Sequence, residues 1–193
     1  VHHLDDTARE MVTDVYRLFM QDGMQVLDLM SSWASHLPSN IKPAGVSGLG
    51  MNRTELAQNP ILSEIQVHDL NAAPRLPYAD ASFEIAVCTV SVEYLIQPVA
   101  VFKDVARVLK PGGAFVVVFS NRWFPPKVVR IWEQLHEFER VGLVLEYFLR
   151  SGAYQNLGTY SMRGLPRPQN DKYAGDMPLS DPVYAVWGRR KSA

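Results

Sequence analysis

Apolar residues recur at three- and four-residue spacings from Leu4 to Met20, and Asp5, Asp6 and Thr7 at the front favour a helix start, so the pattern predicts an amphipathic helix there. After Gly23, Met24 to Leu29 is a short apolar run closed by the acid Asp28, the pattern of a buried strand. Ser31 and Ser32 predict the start of a short helix that Pro38 ends. Gly45 to Gly50 is a weaker second strand, and Asn52-Arg53-Thr54-Glu55 the next helix start. Ile65 to His68 and Phe83 to Val90 predict a third and fourth strand, separated by a loop marked by Pro74 and Pro77. Val101, Val105, Val108 and Leu109 set a helix over Gln97 to Leu109, which Pro111-Gly112-Gly113 turns into a strand from Ala114 to Phe119. Pro126 to Arg150 is helical, in two pieces divided near Gly142. Strands over Gln155 to Met162 and Val183 to Gly188 flank a Pro- and Gly-rich loop, Gly164 to Pro182, and Arg189 to Ala193 is expected to fray.

Strands that alternate with helices predict a mostly parallel sheet covered on both faces, with ligands beyond the carboxyl ends of the strands. No repeat or second composition regime divides the 193 residues, so one α/β domain over 1–193 is expected. Its parts are an N-terminal helix (1–22), a first α/β half (24–120), and further helices with a terminal strand pair (121–193). The formal net charge of −1 gives no reason to expect nucleic acid or an anionic membrane as partner, and favours a small molecule. Cys88 is the only cysteine, so no intrachain disulfide forms, and a reducing, cytoplasmic setting is expected. No apolar run approaches the ~20 residues of a membrane span, and VHHLDD lacks a signal layout. The chain opens on Val and enters a helical pattern almost at once, an opening compatible with further residues upstream. The five histidines show no metal-ligand spacing, and no metal is expected.

The stretch LPYADASFE, the VEYL that follows it and RVLKPGG resemble the later motifs of the class I S-adenosylmethionine-dependent methyltransferases, and DPVYAVWGRR is similar to their last strand. The likeness runs over nearly the whole chain from Val26. It implies a three-layer Rossmann-like sandwich, a seven-stranded sheet of order 3-2-1-4-5-7-6 with strand 7 antiparallel, and S-adenosylmethionine as cofactor. It also implies a cofactor site of Asp28, Leu29, Met30, Ser31, Ser32 and Trp33 after the first strand, and Gly50, Met51 and Asn52 after the second. Asp69 and Leu70 after the third strand and Thr89 and Val90 after the fourth complete it, Asp69 at the adenine edge and Met51 on its face.

Two departures stand out. The family's glycine-rich turn, D-x-G-x-G-x-G, is here Asp28-Leu29-Met30-Ser31-Ser32-Trp33-Ala34, without any of its glycines, so side chains must reshape or fill the space for the methionine part of the cofactor. Ser31 and Ser32 either offer hydroxyls to that carboxylate, beside a helix N-terminus, or merely cap the helix. At the end of the second strand, where the family keeps a ribose-binding acid, stands Gly50. Asn52 or Glu55 then remains for the ribose, and Met51 is either an adenine contact or a core methionine.

Methyl transfer from a sulfonium asks mainly for alignment and desolvation, so catalytic residues leave little sequence trace. Glu93 and Tyr94 are the candidates, with His3, Tyr94, Asn121 and Trp123 around the acceptor and His2 and His3 as a lid. Trp132, Leu135, Phe138, Val144, Tyr147 and Phe148 either line an apolar or aromatic acceptor's pocket or belong to the core. The expected activity is methylation of a small molecule. The alternative is an inactive, methyltransferase-like binding or scaffold protein, and a dinucleotide binder is disfavoured because no G-x-G-x-x-G follows a strand.

Overall fold

The computed structural model describes residues 4–192. Helix α1 (Asp6–Arg17) starts where expected because Asp5 caps it, its carboxylate accepting the Ala8 amide at 3.1 Å. Strands β1 (Gln25–Leu29), β2 (Gly45–Gly50), β3 (Glu64–Val67), β4 (Phe83–Thr89) and β5 (Leu109–Phe119) pair in parallel. At the far side lie β6 (Tyr154–Met162) and β7 (Val183–Arg190), the latter antiparallel to both its neighbours. The order β3-β2-β1-β4-β5-β7-β6 is the one the resemblance implies.

Strand alternation builds two cores. Ile85, Val87, Val116 and Val118 face Val12, Val15 and Tyr16 of α1. Ala86, Cys88, Phe115, Val117 and Phe119 face the opposite layer. Besides α2 (Arg53–Gln58), the helices are α3 (Pro98–Val108), α4 (Arg130–Gln134) and α5 (Glu137–Ser151). Phe102, Trp132 and Phe148 of α3, α4 and α5 are buried there in edge-to-face and tilted ring contacts. The chain runs outward from β1 to β3 and returns beside β1 as β4, so the topological switch, where ligands of such sheets bind, lies between the ends of β1 and β4.

The structure corrects four expectations. No helix forms after Ser31: residues 31–44 are irregular, because Met30 and His36 have φ of 58° and 53° and Pro38 and Pro43 remove amides a helix needs. The break in the segment after Pro126 falls at Leu135–His136 rather than near Gly142, where the His136 amide is taken by Glu139 at 2.8 Å and starts α5 anew. The Pro111-Gly112-Gly113 turn is a bulge inside β5, since Leu109 already pairs with Phe83 and Ala114 with Ile85. Arg189 and Arg190 do not fray; they close β7 opposite Gln155 and Tyr154.

Candidate active site

The cleft at the switch is framed by Met30 after β1 and Val90 after β4, two non-glycine residues in the left-handed region (φ 58° and 42°). For β-branched Val90 this is rare and strained, the kind of backbone strain that clusters at ligand sites. Asp28 is buried at the base, accepting from Ser31 Oγ at 2.5 Å and from Ser35. Burial lifts its carboxyl to about 6 against those two bonds. Thr89 Oγ1 lies 2.5 Å from Oη of the buried Tyr16, which ties α1 to the end of β4 behind the cleft.

The glycine-free turn is pinned. The Ser31 amide donates to the Leu49 carbonyl at 2.8 Å, and Asn59 Nδ2, itself buried, donates to both Ser32 O and Ser35 Oγ at 2.9 Å. This brings the Ser31 carbonyl against β2, where a Cβ on Gly50 would stand 2.4 Å from that oxygen. The two departures from the family pattern are therefore one rearrangement: the turn as folded here leaves no place for an acid at position 50. With no helix after Ser31, there is also no helix dipole for a cofactor carboxylate, and the two serines cap nothing. Ser31 is bound to Asp28, while Ser32 is half-buried and Trp33 42% exposed.

Space is the test of fit for the cofactor. The cleft leaves only about 40 Å³, room for a few waters and far below the ~300 Å³ or more of small-molecule sites. In this conformation the methionine side does not fit. The adenosine side is open: Met51 is 70% exposed beyond β2, which excludes the core reading. Asn52 caps α2 through bonds from the Thr54 and Glu55 amides. Asp69 accepts from the Asn71 and Ala72 amides, while Leu70 is buried in the core beside Leu29, as is Leu29 itself. A further cavity outside α1 is walled by Asp5 and Asp171, already committed to Arg167.

The loop after β5 that carries Asn121 and Trp123 meets Tyr94, whose Oη accepts the Phe124 amide at 3.0 Å. His2 and His3 lie outside the described residues. Trp132, Val144, Tyr147 and Phe148 belong to the core and Phe138 is 81% exposed, so that stripe is chiefly a core face, with Trp132 Nε1 left unbonded within it. Burial pushes the Tyr94 phenol up to about 12, which with its bond to Phe124 leaves it a poor base. Glu93 is 1% exposed, no other residue hydrogen-bonds its carboxylate oxygens, and burial lifts it to about 8 against the pull of its own backbone amide and of Arg140.

A raised carboxyl pKa means the folded state holds a proton that the unfolded chain releases, so stability falls as pH rises from the usual glutamate range toward 8. Glu93→Gln should then be more stable than the parent by about 1 kcal/mol near pH 8, the buried amide offsetting part of the gain, with no advantage at pH 4.5. Urea titrations at both pH values check this; equal curves at pH 8 refute it.

Sequence reasoning misses Asn59, Ser35, His36 and Tyr16. Asn59 stands 29 residues after Met30 at the end of another helix, and only the β1–β2 pairing brings it to the turn.

A profile described as "Methyltransferase domain" matches residues 45–117. The ubiquinone/menaquinone biosynthesis C-methyltransferase of Laribacter hongkongensis is 26% identical over 151 residues, 72% of this chain and 59% of that protein. Among solved structures, an S-adenosylmethionine-dependent methyltransferase from Mesorhizobium loti superposes with TM-score 0.60 at 18% identity, covering 96% of this chain and 99% of that one. The [4+2]-cyclase SpnF superposes at 0.64 and 15%, covering 100% and 89%. The chain spans 26%, 52% and 59% of the length of three curated relatives that it matches. The domain match over residues 45–117 and the strand order, antiparallel last strand included, make this chain similar to the class I S-adenosylmethionine-dependent methyltransferases.

Proposed function

We propose that the chain is an enzyme that binds S-adenosylmethionine at the ends of β1 and β4 and methylates a small molecule, with the Met30–His36 turn displaced when the cofactor is bound. The observation that carries this reading is the set of groups kept at the strand ends: Asp28 and Thr89 line one cleft at the switch point, the exposed Met51 follows the neighbouring β2, and Asp69 follows β3. The bound cofactor supplies a methyl group activated on a sulfonium. Asp28 faces its cationic part, Met51 and Asp69 take the adenine, and Asn52 is the nearest polar side chain for the ribose. Without a strand-end acid the ribose is held more weakly than by a charge-assisted pair. The near-neutral charge of the chain and the small-molecule pathway in the Laribacter protein's name support a small acceptor.

A second reading, a binding or scaffold protein without transfer, is favoured by the closed turn and the missing acid. The SpnF likeness adds that this fold is also found in a protein named for another reaction.

Calorimetric titration with S-adenosylmethionine and S-adenosylhomocysteine decides between them. The enzyme reading expects a Kd in the micromolar range, about −8 kcal/mol, weakened tenfold or more in Asp69→Ala and several-fold in Ser32→Ala. Because a cationic ligand favours the ionised carboxylate, affinity for S-adenosylmethionine should drop as pH falls through about 6, where Asp28 takes up its proton. Absence of heat and of any thermal shift at millimolar ligand would instead establish the binding-protein reading.

A further inference from the structure

Resting on the methyl-transfer reading, we propose that Glu93 and Arg140, closed beneath the strap Asn121–Val129, form the subsite that activates the acceptor. It is built for a small neutral molecule whose acidic O–H, a phenol or an enol, becomes methylated.

Buried polar groups in proteins are almost always bonded, and those that are not call for an explanation. Buried Asp5 and Asp28 follow the rule, each accepting hydrogen bonds. Glu93 breaks it at both oxygens, and Trp132 Nε1 breaks it again. The two residues meet through the main chain: the Val129 amide donates to Glu93 O at 2.9 Å and the Trp132 amide to Val129 O at 2.9 Å. Arg140, also buried, has its Nε donating to Trp132 O at 3.0 Å and its guanidinium carbon 4.2 Å and 5.5 Å from the Trp123 and Trp132 ring centres, and its charge acts on Glu93. Among the described residues no carboxylate is within ion-pair distance of this cation; aromatic faces hold it, and the charges of Glu137 and Glu93 act on it from farther away. An unbonded acid, an unbonded indole N–H and a cation lodged on rings form a set of groups that a ligand completes.

The strap meets the turn beneath through the Phe124 amide to Tyr94 Oη and the Val129 amide to Glu93 O; its ends are held by Arg122 on Asp181 and by Trp123, Val128 and Val129 against the core, while residues 124–127 between them are exposed. When the strap lifts, the way to Glu93 opens from the side of Tyr94 and Trp123, three residues beyond Val90 at the cofactor cleft.

The charges select the acceptor. Arg140 from α5, Cys88 from β4 and the neighbouring Tyr94 are the titratable groups that sense Glu93. A base held near 8 matches an O–H of the phenol range, about 10, and is too weak for an alkyl alcohol. An ammonium acceptor would be repelled by Arg140. In the step itself the acceptor O–H bond breaks, its proton passes to a Glu93 carboxylate oxygen, and the electron pair stays on the acceptor oxygen beside Arg140.

N,N′-Dicyclohexylcarbodiimide reacts with protonated carboxyls in apolar surroundings and needs neither cofactor nor acceptor. At pH 7 on the intact chain, mass spectrometry should find Glu93 labelled, at least tenfold more slowly at pH 9.5. Millimolar 2-naphthol should slow the labelling at least fivefold, and cyclohexanol should leave it unchanged. The Phe124 and Val129 amides should exchange with deuterium well before the β4 and β5 amides. Glu93→Gln should lose the label and keep the affinity for S-adenosylhomocysteine. An unlabelled Glu93, or strap amides that exchange only with the sheet, would show a sealed structural acid and overturn the proposal. Labelling that 2-naphthol does not slow would overturn the ligand class. Labelling and protection without any cofactor binding would leave the subsite standing and remove the methyl-transfer reading instead.

Discussion

Gly50→Asp, which would restore the acid usual at the end of the second strand, is expected to lower the melting temperature by roughly 6–12 °C and to leave cofactor affinity no better. The reason is steric. The new Cβ would stand 2.4 Å from Ser31 O and 3.3 Å from Leu56 Cδ2. The Ser31 carbonyl cannot retreat freely, because the same residue is tied to Leu49 O through its amide and to Asp28 through its hydroxyl. Forcing an atom into such a contact costs about 3 kcal/mol, and each kcal/mol moves the midpoint of a domain this size by roughly 2–4 °C. Gly50→Ala isolates the steric part and should show most of the loss. Scanning calorimetry of both variants, followed by titration with S-adenosylmethionine, is the measurement. An aspartate variant as stable as the parent that binds more tightly would mean the turn moves aside at little expense, and the link drawn between the two motif losses would be wrong.

Arg167→Met is expected to destabilise the chain by about 3–5 kcal/mol at pH 7, the usual loss when a buried pair is broken from one side. The Arg167 side chain is 2% exposed and bridges Asp5 at 3.3 Å and Asp181 at 2.8 Å, both also buried, with Asp171 at 3.3 Å. Methionine fills the volume but leaves Asp5 and Asp171 without their cation, while Asp181 keeps only Arg122. Asp5 also caps α1 and accepts from the Asp181 amide at 2.7 Å, so the cluster fastens the loop before β7 to the start of α1. Hydrogen bonds from Asp181, Ala8 and Ser180, together with Arg167, outweigh burial and hold Asp5 below the usual carboxylate range. Its stabilising contribution is present at neutral pH and is lost as pH falls through the low carboxylate range, so parent and variant should converge in acid. Denaturant curves at pH 7 and pH 3.5 test both parts, and a difference as large at pH 3.5 as at pH 7 would refute the charge argument.

Much of the cleft is legible in the amino-acid sequence. Strand ends and motifs place Asp28, Asp69 and Thr89, and these elements fall within a residue or two of their expected bounds because their apolar runs are short and bounded by Gly or Pro. The helix expected after Ser31 does not form, although a serine pair followed by mixed residues satisfies a capping pattern. The chain has only fifteen residues between β1 and β2 and spends them on a turn with two left-handed residues. The apolar stripe of the helical segment after Pro126 is ambiguous by nature, since a core face and a pocket face have the same period.

The sequence by itself determined the architecture: local periodicity decides which segments are strand or helix, and the RVLKPGG and LPYADASFE motifs carry the family resemblance. Only the tertiary structure decided the state of the site, because it rests on contacts between residues far apart in the chain. Ser31 O against Gly50, Asn59 on Ser32 and Ser35, and Arg140 beside an unbonded Glu93 are created by strand pairing and layer packing. Burial, which lifts Asp28 to about 6 and Glu93 to about 8, exists only once those layers close.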